Sequence, residues 1–285
     1  MADPNSPLRQ LFDKLFPNTR DVQASYRQGQ PRLLVEGGTA NPGTLGAAFD
    51  YATRFALDIL YDAPLARAPF LDEPDALSNI DAVIMAAQIA QLIGDRTTVF
   101  RASWALGLLT EVYRVGLLPG SPLRGLIDAG RMHAQDLLES APPDALDQLT
   151  KMDAIARERL LPHLRHPLEL GPTFDGSALC SADADVIADG LLLDLKTALG
   201  GKVRGPGGRA DYLKASHLRQ LIGYLLLDRS DAYGIDRVGI YSARFGHLVI
   251  WPVADVLEML AGRPVDLDDV REQTWRVLGG DSNSK

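Results

Sequence analysis

One cysteine, Cys180, stands among 285 residues, and that scarcity excludes an intrachain disulfide and any iron–sulfur or all-cysteine zinc site within one chain. A metal would have to sit on oxygen or imidazole ligands. No run of about 18 or more apolar residues occurs, so no membrane span is expected. The opening MADPNSPLRQLF lacks the basic, apolar, small-residue order of a signal peptide, and a cytoplasmic location is expected. The P-loop pattern is missing, because Gly201-Lys202 is followed by Val203, so ATP-driven unwinding would have to come from a separate helicase. G-x-S-x-G is missing too, which removes support for acyl transfer by an activated serine. An excess of basic charge is lacking, the formal net charge being -8. That excludes indiscriminate coating of nucleic acid but leaves room for a local basic groove.

With 46% hydrophobic and 23% charged residues, the chain has the composition of globular material and the length for one large or two small domains. Residues 1–42, rich in Pro, Asn, Gln and Gly, read as an N-terminal arm with a short helix at LRQLFDKLF. Residues 43–62 carry apolar side chains at helical spacing, with Thr44 as a candidate cap, and read as a first core helix. Residues 77–166 are almost wholly helix-forming, broken at 119–122 and 141–144, and predict four or five packed helices. His163 and His166 are bracketed by Pro162 and Pro167, which makes them a poor helix-borne metal pair. In 167–279 the texture changes to short strand-like runs, TFDGSALC, DVIADGLLLDLK and VGIYSARFGHLVIWPV, with a helix near 212–227 and helical spacing again from 253. Residues 280–285 read as a disordered tail.

The run DVIADGLLLDLK is the most informative segment. Asp189-Gly190 predicts a type I′ two-residue turn. Counting outward, Ala188 faces Leu191, Ile187 faces Leu192, Val186 faces Leu193, Asp185 faces Asp194, and Asp183 lies opposite Lys196. Strand alternation then puts Asp183, Asp185, Asp194 and Lys196 on one polar face, with the core on the other. Two carboxylates directly opposite each other destabilise a sheet by up to about 1 kcal/mol and call for a cation. Either Lys196 alone supplies it, or a Mg²⁺ or Mn²⁺ ion does, held by the two aspartates and a main-chain carbonyl such as that of Leu195. Gln220 and Tyr224, four apart on the next helix, share a face.

An acidic residue, a tight hairpin, D-L-K and a helix with Q-x-x-x-Y, in that order, resemble the RecB-like and Cas4-like branch of the PD-(D/E)xK nucleases. The resemblance covers about 45 residues near 183–224 and a short helix near Gly46. It implies an α+β restriction-endonuclease-like core, a central mixed β-sheet flanked by helices, here with a large helical insertion. By resemblance Asp185 and Asp194 bind the metal, Lys196 activates water and stabilises the phosphate, and Gln220 and Tyr224 touch the substrate or position the lysine. Asp183 is a further candidate acid. The branch's G-x-x-x-H helix reads Gly46-A-A-F-Asp50 here, so Asp50 either replaces the histidine as a ligand or pairs with Arg54 one turn on. The iron–sulfur cysteines of Cas4-like members are absent.

Between Lys196 and Gln220 run five basic residues, Lys202, Arg204, Arg209, Lys214 and Arg219, with five glycines and one acid. This segment suits a nucleic-acid backbone or is simply a flexible surface loop. Its G-x-G-x-x-A fragment, Gly205 to Ala210, does not follow a strand directly and makes a poor dinucleotide site. The expected activity is metal-dependent hydrolysis of nucleic-acid phosphodiesters, DNA first, beside a helicase or a repair or defence partner. The alternative is a non-catalytic nuclease-like module that binds protein or nucleic acid.

Overall fold

A computed structural model describes residues 3, 5–29, 32–203 and 208–280. Its contacts divide the chain into two units, Met1–Leu33 with Pro162–Lys196 and Gly200–Lys285, and Leu34–Leu161 with Thr197–Leu199. The first unit opens with α1 (Pro7–Leu15) and α2 (Thr19–Tyr26). Pro7 follows the N-cap Ser6, whose hydroxyl accepts the Arg9 N–H, an arrangement that starts a helix without an orphaned donor. The stretch expected as an arm carries more helix than LRQLFDKLF alone. Phe12, Phe16, Val22 and Tyr26 are buried in the core of this unit.

The second unit is helical. It contains α3 (Pro42–Leu57), α4 (Pro64–Arg67), α5 (Pro74–Ile93), α6 (Arg96–Val115), α7 (Pro122–Asp128), α8 (Ala134–Glu139) and α9 (Pro143–Arg159). The breaks expected at 119–122 and 141–144 are there. A further one at Gly94, with φ of 80°, separates α5 from α6. Asn41 caps α3 by accepting from Gly43 and Thr44. The expected cap Thr44 instead lies buried in the first turn. Helix α6 is the hub of the unit, and Gly107 lets it approach α3, since a Cβ there would stand 3.2 Å from the Thr44 carbonyl oxygen. Among the described helices, α5 alone has the length and apolarity of a membrane span, with a window of mean hydropathy 1.4.

The rest of the first unit holds β1 (Leu168–Leu170), β2 (Val186–Ala188), β3 (Leu191–Lys196), β4 (Gly201–Lys202), β5 (Arg209–Ala210), α10 (Ala215–Leu227), β6 (Arg237–Ser242), β7 (His247–Pro252), α11 (Val253–Ala261) and α12 (Leu267–Val277). Five strands form a mixed sheet in the order β1-β2-β3-β6-β7. Only β3 and β6 are parallel, joined through the α10 crossover, and the other neighbours are antiparallel. The fold class is thus α+β with a central mixed sheet flanked by helices, as the sequence implies. The run TFDGSALC forms no strand; it turns at Asp175–Ala178, because the Ser177 hydroxyl accepts the Phe174 N–H and donates to the Ala182 carbonyl, a local pairing that competes with a sheet ladder. Of the tail expected to be disordered, residues 280–285, Gly280 donates its N–H to the Trp275 carbonyl at 3.0 Å, and 281–285 lie outside the described residues.

The core of this unit joins Ile187 and Leu192 of the sheet to Leu218, Leu221, Ile222 and Leu225 of α10 and to Phe12 and Phe16. Truncating Phe12 to alanine is therefore expected to lower stability by about 3–5 kcal/mol in urea unfolding. A loss under about 0.5 kcal/mol, the range of surface changes, would show that α1 is a peripheral wrap.

Candidate active site

The β2–β3 hairpin closes on Asp189 and Gly190, whose φ values are 47° and 75°, as a type I′ turn requires. The pairs Ala188–Leu191, Ile187–Leu192 and Val186–Leu193 follow in the expected register. Beyond Val186 the ladder stops. Asp185 meets β3 through its side chain, Oδ2 accepting the Leu195 N–H at 2.6 Å, while its carbonyl accepts from Gly171. The expected Asp185–Asp194 and Asp183–Lys196 cross-strand pairs are therefore not ladder pairs. A carboxylate has taken the place of the strand carbonyl that Leu195 would otherwise use. Asp185 Oδ1 makes no hydrogen bond with protein among the described residues.

On β3 the residues Leu191 to Asp194 are all buried. The face expected to be polar and open is the one that α10 covers, so Asp194 is only 2% exposed. A carboxylate so placed needs a cation. Lys196 provides it, with Nζ donating to Oδ1 at 2.8 Å and standing 2.7 Å from Oδ2 as an ion pair. The same ammonium donates to Gln220 Oε1 at 3.0 Å, and Gln220 Nε2 donates to the Tyr224 hydroxyl at 2.7 Å. The Tyr224 ring stacks on Phe174 with centroids 5.8 Å apart. Burial raises the Tyr224 phenol above its ordinary range, and the charges of Asp185, Asp194 and Asp183 push it the same way. It is a neutral donor at physiological pH. Thus β3 and α10 build one polar chain, Asp194–Lys196–Gln220–Tyr224, with Asp183 and Asp185 in electrostatic reach of its phenol end.

Two further groups adjoin this chain. His217 lies three residues before Gln220 and seven before Tyr224, so the three share one side of α10. That spacing was present in the sequence as a signal. Burial, together with the charges of Lys196 and Lys214, lowers the His217 pKa to about 4. The second group had no such signal. The Tyr26 hydroxyl donates to Asp211 Oδ2 at 2.5 Å, and His247 Nδ1 lies 3.2 Å from the same oxygen. Gln23 Nε2 donates to the Leu213 carbonyl at 2.8 Å. Helix α2 thereby holds the segment that leads into α10.

The other expected site residues make contacts of their own. Asp50 belongs to the helical unit and takes the pairing alternative. Arg54, only 1% exposed, reaches its Oδ1 with Nε at 2.9 Å and its Oδ2 with Nη2 at 2.7 Å. Arg54 also donates to the Tyr61 hydroxyl at 2.6 Å, so the pair sits in the interior and not on the solvated face expected. Lys202 and Arg209 face each other across the β4–β5 pair, Lys214 lies over the Tyr212 ring, and Arg219 pairs with Asp13. Arg204 lies outside the described residues.

Among the described residues no group of three or more His, Cys, Asp or Glu side chains is placed to hold an ion. An ion that keeps several waters, as Mg²⁺ does, needs only one or two carboxylates. Asp185 Oδ1, without a hydrogen bond among the described residues, and the Asp194 carboxylate, paired with Lys196, are the candidate oxygens for such a set. No known protein family, curated protein or solved structure matches the chain.

The histidine gives a prediction about pH. A folded pKa of about 4 against 6.5 unfolded means that the unfolded chain binds the extra proton first as pH falls. The stability contributed by neutral His217 is whole above pH 6.5 and is lost towards pH 4. NMR titration of the His217 ring should show a midpoint near 4, and Lys196→Met should raise it by removing a neighbouring positive charge. A midpoint of 6.5 in both proteins would contradict the placement.

Proposed function

We propose that the chain is a metal-dependent nuclease of the PD-(D/E)xK type, hydrolysing phosphodiester bonds of cytoplasmic DNA or RNA with Mg²⁺ or Mn²⁺. The observation that carries this reading is the double contact of Lys196, whose ammonium touches both Asp194 and Gln220. Two motif pieces separated in sequence, D-L-K and Q-x-x-x-Y, meet on one cation. The sheet and α10 would then be the restriction-endonuclease-like core.

In this reading Asp185, through Oδ1, and Asp194 hold the ion, with the Leu195 carbonyl as a candidate third oxygen. Bound there, it would lower the pKa of an attacking water and offset charge on the departing oxygen. Lys196 orients the attacking water and faces the charged phosphate. Gln220 fixes Lys196 Nζ, and the neutral Tyr224 hydroxyl, accepting from Gln220 Nε2, fixes Gln220. Asp183 adds negative charge near the Tyr224 phenol. Lys202, Arg209, Lys214 and Arg219 attract the phosphate backbone without regard to sequence. Asp50, with both oxygens on Arg54, is left out of this proposal.

The test compares wild type with Asp194→Asn and Lys196→Met on single- and double-stranded DNA and RNA with Mg²⁺, Mn²⁺ or EDTA. Each substitution should cut the rate by about 10²–10³-fold, the scale of losing one charge-stabilising group. Gln220→Ala, which acts through the lysine, should cost less. Cleavage by the folded variants at the wild-type rate would sink the nuclease reading.

A further inference from the structure

A cavity of about 430 Å³ lies beside the polar chain, between α1, α10 and the loop that leads to β2. We propose that it is a binding subsite for one unpaired nucleotide of a single-stranded nucleic acid. The proposal rests on the nuclease reading for its place next to the cleaved bond, but the binding it claims needs no catalysis.

The volume falls in the range of about 300–1,000 Å³ usual for small-molecule sites. It takes one nucleotide, and a base still stacked in a duplex does not enter it. The walls differ in chemistry. Leu8, Ala182, Gly223 and Leu227 supply apolar lining, and Gly223, having no side chain, recesses the α10 wall. Contact with an aliphatic wall holds a base without reading its identity, because identity is read by hydrogen bonds to base edges.

Arg9 and Arg219 supply cationic lining. Both reach Asp13, with Nε–O distances of 2.7 Å and 3.3 Å. The two guanidiniums and Asp13 together carry one positive charge, Asp183 on the cavity lining adds one negative charge near the Tyr224 phenol, and guanidinium groups match phosphate oxygens in bidentate geometry. Gln220 and Tyr224 line the cavity as well as the polar chain. A strand with one base in the cavity and that nucleotide's phosphate on Arg9 and Arg219 therefore presents its next phosphodiester towards Lys196. Helix α1 supplies Leu8 and Arg9, which gives the N-terminal segment a share in substrate binding.

Cys180, the single cysteine of the chain, also lines the cavity and reports on its occupancy. The experiment measures alkylation of Cys180 by iodoacetamide in the full-length protein, in EDTA so that no cleavage intervenes. The ligands are deoxythymidine 5′-monophosphate, a 5′-phosphorylated tetradeoxynucleotide, and a blunt duplex. At about ten times its Kd the tetranucleotide should slow alkylation about tenfold, because only unoccupied protein reacts. The monophosphate should protect at higher concentration, and the duplex should not protect. Arg9→Gln and Arg219→Gln should each weaken protection about tenfold, the scale of a lost charge-assisted hydrogen bond. No protection by the single strand, in protein that cleaves with Mg²⁺, would overturn the subsite and leave the nuclease reading standing. Protection in protein that cleaves nothing under any metal would support the subsite and sink the nuclease reading. Equal protection by duplex, unchanged in both arginine variants, would also overturn the subsite.

Discussion

The pairing of Lys196 with Asp194 is the contact on which the centre of the sheet unit depends. Asp194 is 2% exposed on a strand whose neighbours Leu191, Leu192 and Leu193 are also buried, so its charge has left water and must be answered inside the protein. Removing one partner of such a pair typically costs about 3–5 kcal/mol, because the remaining charge has nothing to face. Lys196 remains 19% exposed. Its ammonium therefore stays partly open to solvent while holding the strand's buried acid. Gln220 and Tyr224 extend the pair across to α10, and the apolar core cluster that Leu192 shares with Leu218 and Leu221 sets the helix at the distance where those hydrogen bonds form.

Several parts of this arrangement were legible in the sequence because they are local. Asp189-Gly190 specified the turn, and three ladder pairs followed from it. Gln220 and Tyr224 fell on one helix face by spacing alone, and so did His217, which the Q-x-x-x-Y pattern left out. Local chemistry also decided the cap of α3. Asn41 stands before Pro42 with its side-chain oxygen directed at the first free N–H groups, a better N-cap than a threonine already inside the helix.

What the sequence did not disclose depends on distant partners. The bond between Tyr26 and Asp211 spans 185 residues, and no pattern near either residue points to the other. Burial of Phe12 and Phe16 likewise comes from α10 and the sheet, so a stretch that looks like an arm lies in the core. The acid face of β3 reads as solvent-facing by alternation, yet α10 covers it. Asp185 gave the subtlest departure. Alternation assumes that the backbone continues to pair, whereas here the chain turns away and the carboxylate completes the strand's hydrogen bond to Leu195.

That last bond bears on the proposed metal site, because it anchors Asp185 by Oδ2 and leaves Oδ1 without a hydrogen bond among the described residues. The most direct test is the anomalous difference density of crystals grown with Mn²⁺. The account predicts a peak about 2.0–2.3 Å from a carboxylate oxygen of Asp185 and one of Asp194, with waters completing the coordination. A fully loaded crystal with no peak touching either aspartate would contradict it.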